Sequence, residues 1–239
     1  MKIGIKIFPE DLAYAKKIAK YCDFFEVMAI PESNFHRLKS LKHPFSIHTI
    51  HSSWGFNPAN PKKQPINSLA VETAAKAADI LKADTIVVHP GSIENRQCRK
   101  KHAISFLKDL DNRFIVENLP KEGCDGKRIG CNFWQMKQIL KKTNKSMCLD
   151  FAHAAEYAHQ VGIYYIDFIK RLMKLKPQYF HISDTRIQNK KDLHLHIKEG
   201  NLKLDYLEKL VPKDASITIE TAHEFNKQHK DIMLLRQNR

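Results

Sequence analysis

The feature that most constrains the fold is an eightfold alternation of short apolar runs with longer segments of helical pattern. The apolar runs lie at residues 2–7, 24–28, 45–49, 85–89, 114–117, 147–150, 179–182 and 217–220. The helical segments lie at residues 9–21, 33–41, 66–81, 94–110, 133–142, 164–175 (preceded by a helical stretch from 154), 204–210 and 225–236. Near-continuous apolar strands suit a parallel sheet that is covered on both faces. Eight strand–helix units therefore predict an α/β fold, a single closed (β/α)8 TIM barrel.

Length and composition set the outer limits of this interpretation. The chain has 239 residues, of which 43% are apolar, so one barrel domain over residues 1–239 is expected. No apolar run approaches the length of a membrane-spanning helix, and residues 1–7 alternate like a strand rather than a signal peptide. The five cysteines are scattered, which favours a reducing cytoplasm. The sequence leaves the oligomeric state open.

The charge is strongly positive. Forty Lys and Arg residues against 26 Asp and Glu residues give a net charge of +14. Such a field favours polyanionic partners, nucleic acid or phosphate ligands, although a lysine-rich host composition would have the same effect. Ten basic residues follow strands and would surround the mouth of a barrel: Lys62, Lys63, Arg96, Arg99, Lys121, Lys127, Arg128, Arg186, Lys190 and Lys191.

Six of the apolar runs end on a residue that can bind a metal ion. These residues are His48, His89, Glu117, Asp150, His181 and Glu220. In a parallel barrel the carboxyl ends of all strands point to the same mouth, so the six side chains are expected to converge. His153, three residues after Asp150, and the pair Asp192 and His194 in the segment after strand 7 add three more candidates.

Histidine nitrogens and carboxylate oxygens are common zinc ligands, and similar sites accept manganese or iron. One histidine at a strand end is more often a core or capping residue, whereas a buried carboxylate is costly unless it is paired. The joint pattern predicts a metal site at the mouth of the barrel.

In chain order the pattern resembles the endonuclease IV family, apurinic/apyrimidinic endonucleases on the xylose isomerase-like barrel. The resemblance covers residues 47–221 and rests on His48, His89, Glu117-Asn118, Asp150-x-x-His153, His181-x-x-Asp184, Asp192-x-His194 and Glu220. It implies hydrolysis of the DNA backbone at abasic sites by a centre of three zinc ions. The implied ligand sets are His48, His89 and Glu117 for one ion, Glu117, Asp150, His181 and Glu220 for a second, and His153, Asp192 and His194 for a third. Glu117, Asp150 and Glu220 are then the catalytic carboxylates.

The chain departs from that family where the family's loops enter DNA. The segments after strands 1 and 2 are short here, and His51 stands where the family has an aromatic residue. Trp54 follows as a possible stacking group, and Arg186 suits a sugar hydroxyl or a phosphate. His51, Trp54 and Arg186 are therefore the expected substrate-binding residues.

Two other functions fit the same pattern. A sugar isomerase or epimerase of this superfold, acting on a small sugar or sugar phosphate, needs one metal ion on Glu117, Asp150, His181 and Glu220, with the two glutamates moving protons. Such an enzyme does not need His48, His89, Asp192 and His194, so these four residues discriminate between the two functions. A barrel that binds metal or nucleic acid without catalysis is the third alternative, and the filled ligand positions argue against it.

Overall fold

The computed structural model describes residues 1–123, 126–188 and 193–237. Eight parallel strands close into a barrel in the order β1-β8-β7-β6-β5-β4-β3-β2, which confirms the predicted fold. The strands are β1 (Lys2–Ile7), β2 (Phe24–Ala29), β3 (Phe45–Thr49), β4 (Ile86–Val88), β5 (Phe114–Glu117), β6 (Ser146–Asp150), β7 (Tyr179–Ile182) and β8 (Ser216–Ile219).

Helices surround this barrel. They are α1 (Leu12–Ile18), α2 (Gln64–Leu81), α3 (Lys100–Lys108), α4 (Phe133–Thr143), α5 (Phe151–Gln160), α6 (Tyr165–Met173), α7 (Leu204–Leu207) and α8 (Phe225–Gln237). A 3-10 helix, Phe35–Leu41, takes the place of a full helix after β2. The helical stretch predicted from residue 154 and the predicted helix 164–175 correspond to α5 and α6, which are separated by a turn at Gly162, where φ is +72°. In the ranges given above, no helix combines the length and apolar character that a membrane crossing requires.

A small antiparallel sheet lies on the segments that follow β4 and β5. Its strands are Ser92–Ile93, Gly126–Arg128 and Glu122–Gly123, in that order. The strands Glu122–Gly123 and Gly126–Arg128 lie in the segment 120–130, which the glycine content predicts to be a loop. The helix predicted over 94–110 begins only at Lys100, because Ser92–Ile93 forms a strand just before it. Gly126 has φ +106°, and a Cβ there would lie 2.7 Å from the carbonyl oxygen of Ile93, so this pairing needs glycine.

Apolar side chains form two separate clusters. The larger fills the space between the sheet and the helices and holds most of the buried aliphatic residues. The smaller lies inside the barrel and consists of Phe24, Val87, Ile115, Cys148 and Tyr179. The alternation along β4 shows the division, since Ile86 and Val88 belong to the outer cluster and Val87 to the inner one.

Candidate metal centre at the carboxyl ends of the strands

Each barrel strand carries one polar side chain at the level directly above the inner cluster. These eight residues, called the mouth ring here, are Lys6, Glu26, His48, His89, Glu117, Asp150, His181 and Glu220. Each stands two residues after a residue of the lower layer: Gly4, Phe24, Ser46, Val87, Ile115, Cys148, Tyr179 and Thr218. Because side chains alternate between the faces of a strand, this step of two keeps all eight pointing inward.

Glu117 lies at the centre of the mouth ring. Its Oε2 atom is 3.2 Å from Nε2 of His48 and 3.0 Å from Nε2 of His89. Its Oε1 atom is 3.2 Å from Nδ1 of His153 and 3.3 Å from Nδ1 of His181. Burial alone would raise the pKa of Glu117, but the charges of His181 and His89 hold that pKa well below its usual range. A buried carboxylate that faces four imidazoles, two on each oxygen, is suited to sharing between metal ions.

The structure gathers the strand-end candidates into three overlapping groups whose ligand atoms lie within 4.8 Å of one another. The groups are Glu26, His48, His181 and Glu220; His48, His89 and Glu117; and Glu117, Asp150 and His153. The second group has the same members as one of the ligand sets implied by the sequence. In the third group His153 lies with Glu117 and Asp150. The exact assignment of ligands to ions stays a prediction.

His181 provides a direct test of whether these residues fit a metal ion. Its Nδ1 atom lies 3.1 Å from Oε1 of Glu220 and 3.3 Å from Oε1 of Glu117, yet it is buried without a hydrogen bond. Nδ1 of His89 is likewise buried without a hydrogen bond. Imidazole nitrogens held close to carboxylate oxygens in this way match the donor set of a divalent metal ion.

Glu26 was missed by the sequence analysis. It is fully buried, and its Oε2 atom accepts hydrogen bonds from Tyr179 Oη at 2.6 Å, His181 Nε2 at 3.0 Å and Thr218 Oγ1 at 3.2 Å. Burial alone would raise the pKa of Glu26, but His181 and Lys6 lower it. A carboxylate behind a metal-binding histidine fixes the orientation of the imidazole and increases its basicity. Glu26 therefore positions His181.

Lys6 was also missed by the sequence analysis. It pairs in register with Glu26 on the neighbouring strand. Its Nζ atom lies 2.5 Å from Oε1 of Glu220 and 3.6 Å from Oε1 of Glu26. Both residues stand one or more positions before the end of their apolar runs, so a search of run ends passes over them. Applying the step of two to all eight strands would have found both.

Asn118, directly after β5, joins that strand to β6. Its side chain donates to the carbonyl oxygen of Asp150 at 3.0 Å and accepts from the Asp150 N–H at 2.8 Å. The Asp150 carboxylate in turn accepts from the N–H of His153 at 2.7 Å and caps α5. These bonds hold Asp150 and His153 in fixed relation to the neighbouring Glu117.

The third predicted ligand set is only partly described. His194 has a side chain that is 43% exposed, and its Nδ1 atom is 3.0 Å from the carbonyl oxygen of Glu220 and 3.7 Å from Oε2 of that residue. Asp192 lies outside the described residues. Within the described ranges no group of three candidate ligands includes His194. The segment is anchored by two backbone hydrogen bonds between Asp184 and Leu195.

A cavity of about 1000 Å³ lies above the mouth ring and is lined in part by His51, Ser52, Lys121, Arg128, Gln188 and His194. The ring of His51 stacks on that of His89 at 5.6 Å, and Trp54 packs edge-on against His51 at 4.5 Å. Burial, with His89 and His48 nearby, lowers the pKa of His51 to about 2, so its imidazole is neutral. Trp54 is 39% exposed. Arg186 is exposed and lies outside the set of described residues that line the cavity. The substrate-binding roles of these three residues stay predictions.

Comparison with known proteins places this geometry in a family. The model of the xylose isomerase-like TIM barrel family matches residues 16–236. A probable endonuclease 4 from Mycoplasmopsis synoviae is 26% identical over 204 residues, which cover 77% of this chain and 72% of that protein. Among solved structures, a D-tagatose 3-epimerase-like protein superposes with a TM-score of 0.78 at 23% identity, covering 100% of this chain and 97% of that one. Endonuclease IV from Thermus thermophilus superposes with a TM-score of 0.74 at 18% identity, covering 100% and 98%. The chain belongs to the xylose isomerase-like TIM barrel family.

Proposed function

We propose that this protein is a metal-dependent phosphodiesterase that hydrolyses the DNA backbone at abasic sites. The observation that carries the proposal is the double use of Glu117, which faces His48 and His89 with one oxygen and His153 and His181 with the other. A single-metal enzyme has no need for two ligand sets on one carboxylate. The similarity to a probable endonuclease 4 supports the same substrate.

In this proposal the mouth ring and the segment after β7 hold three zinc ions. The sets are His48, His89 and Glu117; Glu117, Asp150, His181 and Glu220; and His153, Asp192 and His194. Zinc ions in such a site supply Lewis acidity toward phosphate oxygens and lower the pKa of water. Glu26 and Asn118 keep His181 and Asp150 in place.

Basic residues at the same end of the barrel bind the flanking DNA backbone. Lys121 and Arg128 line the main cavity. A second, more open cavity of about 510 Å³ is lined by Lys62, Arg96, Arg99, Lys101 and His102. Clusters of Lys and Arg neutralise phosphates and release counterions, which provides affinity without sequence specificity.

His51 and Trp54 contact the nucleotide at the lesion. The edge-on Trp54 and the neutral imidazole of His51 form one aromatic unit that continues onto His89. This places a stacking surface directly beside a candidate metal ligand. Aromatic side chains bind unpaired nucleotides by stacking.

A sugar isomerase or epimerase with one metal ion is the second candidate. It is favoured by the short segments after β1 and β2, where residues 8–11 and 30–34 are all that precede the next helix. Such short segments suit a small substrate better than a duplex. In that enzyme Glu117 and Glu220 move protons on the sugar.

The deciding experiment combines metal content with activity. Zinc per chain is measured on purified protein, beside cleavage of a duplex with one abasic site and turnover of a panel of ketoses and aldoses. Near three zinc ions with cleavage supports the phosphodiesterase, and near one with sugar turnover supports the isomerase. His89→Ala should abolish cleavage while sparing sugar turnover, with exposed His36→Ala as the matched control. Retained cleavage in His89→Ala refutes the proposed ligand set.

A further inference from the structure

Lys6 is the one ammonium group among the eight residues of the mouth ring. Its side chain is 17% exposed, and the residue lines the main cavity. Two carboxylates lie beside it, Glu220 at 2.5 Å and Glu26 at 3.6 Å from Nζ, and Glu117 adds to the electrostatic attraction. The ammonium is therefore held between the carboxylates that belong to the two strands on either side of β1.

The contact with Glu220 involves the same oxygen that faces the candidate metal site. Oε1 of Glu220 is 2.5 Å from Lys6 Nζ and 3.1 Å from Nδ1 of His181. A cation held by Glu220 and His181 would repel the ammonium, so Lys6 does not stabilise a metal-loaded centre by itself. A positive charge at this point attracts an anion that enters the cavity.

The hydrogen-bonding capacity of Lys6 leads to the same conclusion. An ammonium carries three N–H donors and no acceptor. Glu220 takes one donor at 2.5 Å, and Glu26 lies at 3.6 Å, beyond a good hydrogen bond. Among the residues that the structure describes, Nζ donates one hydrogen bond, to Glu220, and Lys6 lines the cavity, so donors remain for an oxygen of a ligand.

We propose that Lys6 is a substrate-binding residue that donates a hydrogen bond to a nonbridging oxygen of the phosphate group. The proposal rests on the proposed phosphodiesterase function and adds a ligand to it that the resemblance does not supply. The chemistry recognised is a phosphate ester, carried either by a DNA backbone or by a sugar phosphate.

The test uses Lys6→Met, with Lys6→Arg as the charge-retaining variant and exposed Lys16→Met as the surface control. Binding of inorganic phosphate to the zinc-loaded proteins is measured by calorimetry, and zinc per chain is measured on the same samples. Lys6→Met should bind phosphate about tenfold more weakly or worse, the scale of one hydrogen bond to a charged group, with unchanged zinc content. Lys6→Arg should recover most of the affinity, and Lys16→Met should match the wild type.

Two results would overturn the proposal. One is a phosphate affinity of Lys6→Met equal to that of the wild type. The other is loss of zinc from Lys6→Met, which would make Lys6 an organiser of Glu220. If Lys6→Met fails to fold, Lys6→Gln keeps an N–H donor without the charge, and weaker phosphate binding by that variant is the expected result.

Enzyme kinetics distinguish failure of this proposal from failure of the proposed function. KM and kcat are measured for the abasic duplex and for a ketose phosphate. Lys6-dependent phosphate binding with turnover of the ketose phosphate alone would sustain Lys6 as the phosphate ligand and refute the nuclease. Cleavage of the duplex with identical KM and kcat in Lys6→Met would sustain the nuclease and refute the role of Lys6.

Discussion

Replacing Glu26 tests whether the layer beneath the ligands controls the metal centre. Glu26→Ala removes an acceptor of three buried hydrogen bonds, from Tyr179, His181 and Thr218. A hydrogen bond to a charged group contributes about 1.5–3 kcal/mol. The Tyr179 hydroxyl keeps Ser46 and Thr218 as partners, so the variant should lose about 4 kcal/mol of unfolding free energy, near the lower end of the sum for three bonds. Glu26→Gln keeps an acceptor and the volume, and should lose about half of that.

The same change should weaken metal binding, because Glu26 orients the imidazole of His181. Loss of a carboxylate behind a metal-binding histidine typically costs about 10–100-fold in affinity. Urea unfolding of the metal-free proteins gives the stability difference, and zinc titration against a competing chelator gives the affinity. Exposed Glu72→Gln is the control for removing one negative charge. Wild-type stability and wild-type zinc affinity in Glu26→Gln would refute the reasoning.

Three further predictions follow from the site. Glu117→Gln should abolish activity and lower the zinc content by one ion or more, because an amide lacks the charge to hold two dications; full activity with unchanged zinc would remove Glu117 from the site. His194→Ala and Asp192→Ala should each lose one zinc ion and orders of magnitude in abasic-site cleavage while the strand-end metals stay, as metal analysis and a cleavage assay would show; unchanged zinc in both variants would contradict the third ligand set. Burial lowers the pKa of His89 to about 4 from 6.5, so the unfolded chain takes up that proton first as pH falls. The stability of the metal-free protein is therefore full above pH 6.5 and declines toward pH 4, by about 3 kcal/mol from this residue. Urea unfolding at several pH values measures this loss, and a His89→Gln variant with the same pH dependence would disprove the assignment.

The sequence predicted the barrel because short stretches of sequence, such as 114–117 and 133–142, are enough to indicate each strand and each helix. It predicted that the strand-end His, Asp and Glu side chains converge, because a polar residue at the end of an apolar run is conspicuous; their role as metal ligands stays a prediction. Glu26 and Lys6 were hidden because β2 continues to Ala29 and β1 to Ile7, so the charge lies inside the run. They are found only when inward-facing positions are counted as every second residue of each strand, and this requires the register of all eight strands.

The segments above the barrel were harder to predict. The strand Gly126–Arg128 is three residues long and pairs both with Glu122–Gly123 and with Ser92–Ile93, which comes from another part of the chain. Local propensity carries no information about such pairing, and the glycines favour a loop.

The two apolar clusters divide the buried residues of the barrel into two layers with different roles. The outer one, between sheet and helices, holds nearly all the aliphatic packing, whereas the inner one is a thin floor of five side chains beneath the polar residues. Substitutions on the two faces of one strand are then subject to different selection: those facing the helices act on folding, and those facing the axis act on folding and on the chemistry of the site together. A lineage can exchange residues that line the cavity, such as Lys6 or His51, and acquire a new substrate while the outer cluster keeps the chain folded. This division makes the barrel a tolerant starting point for laboratory evolution of new phosphate or sugar chemistry.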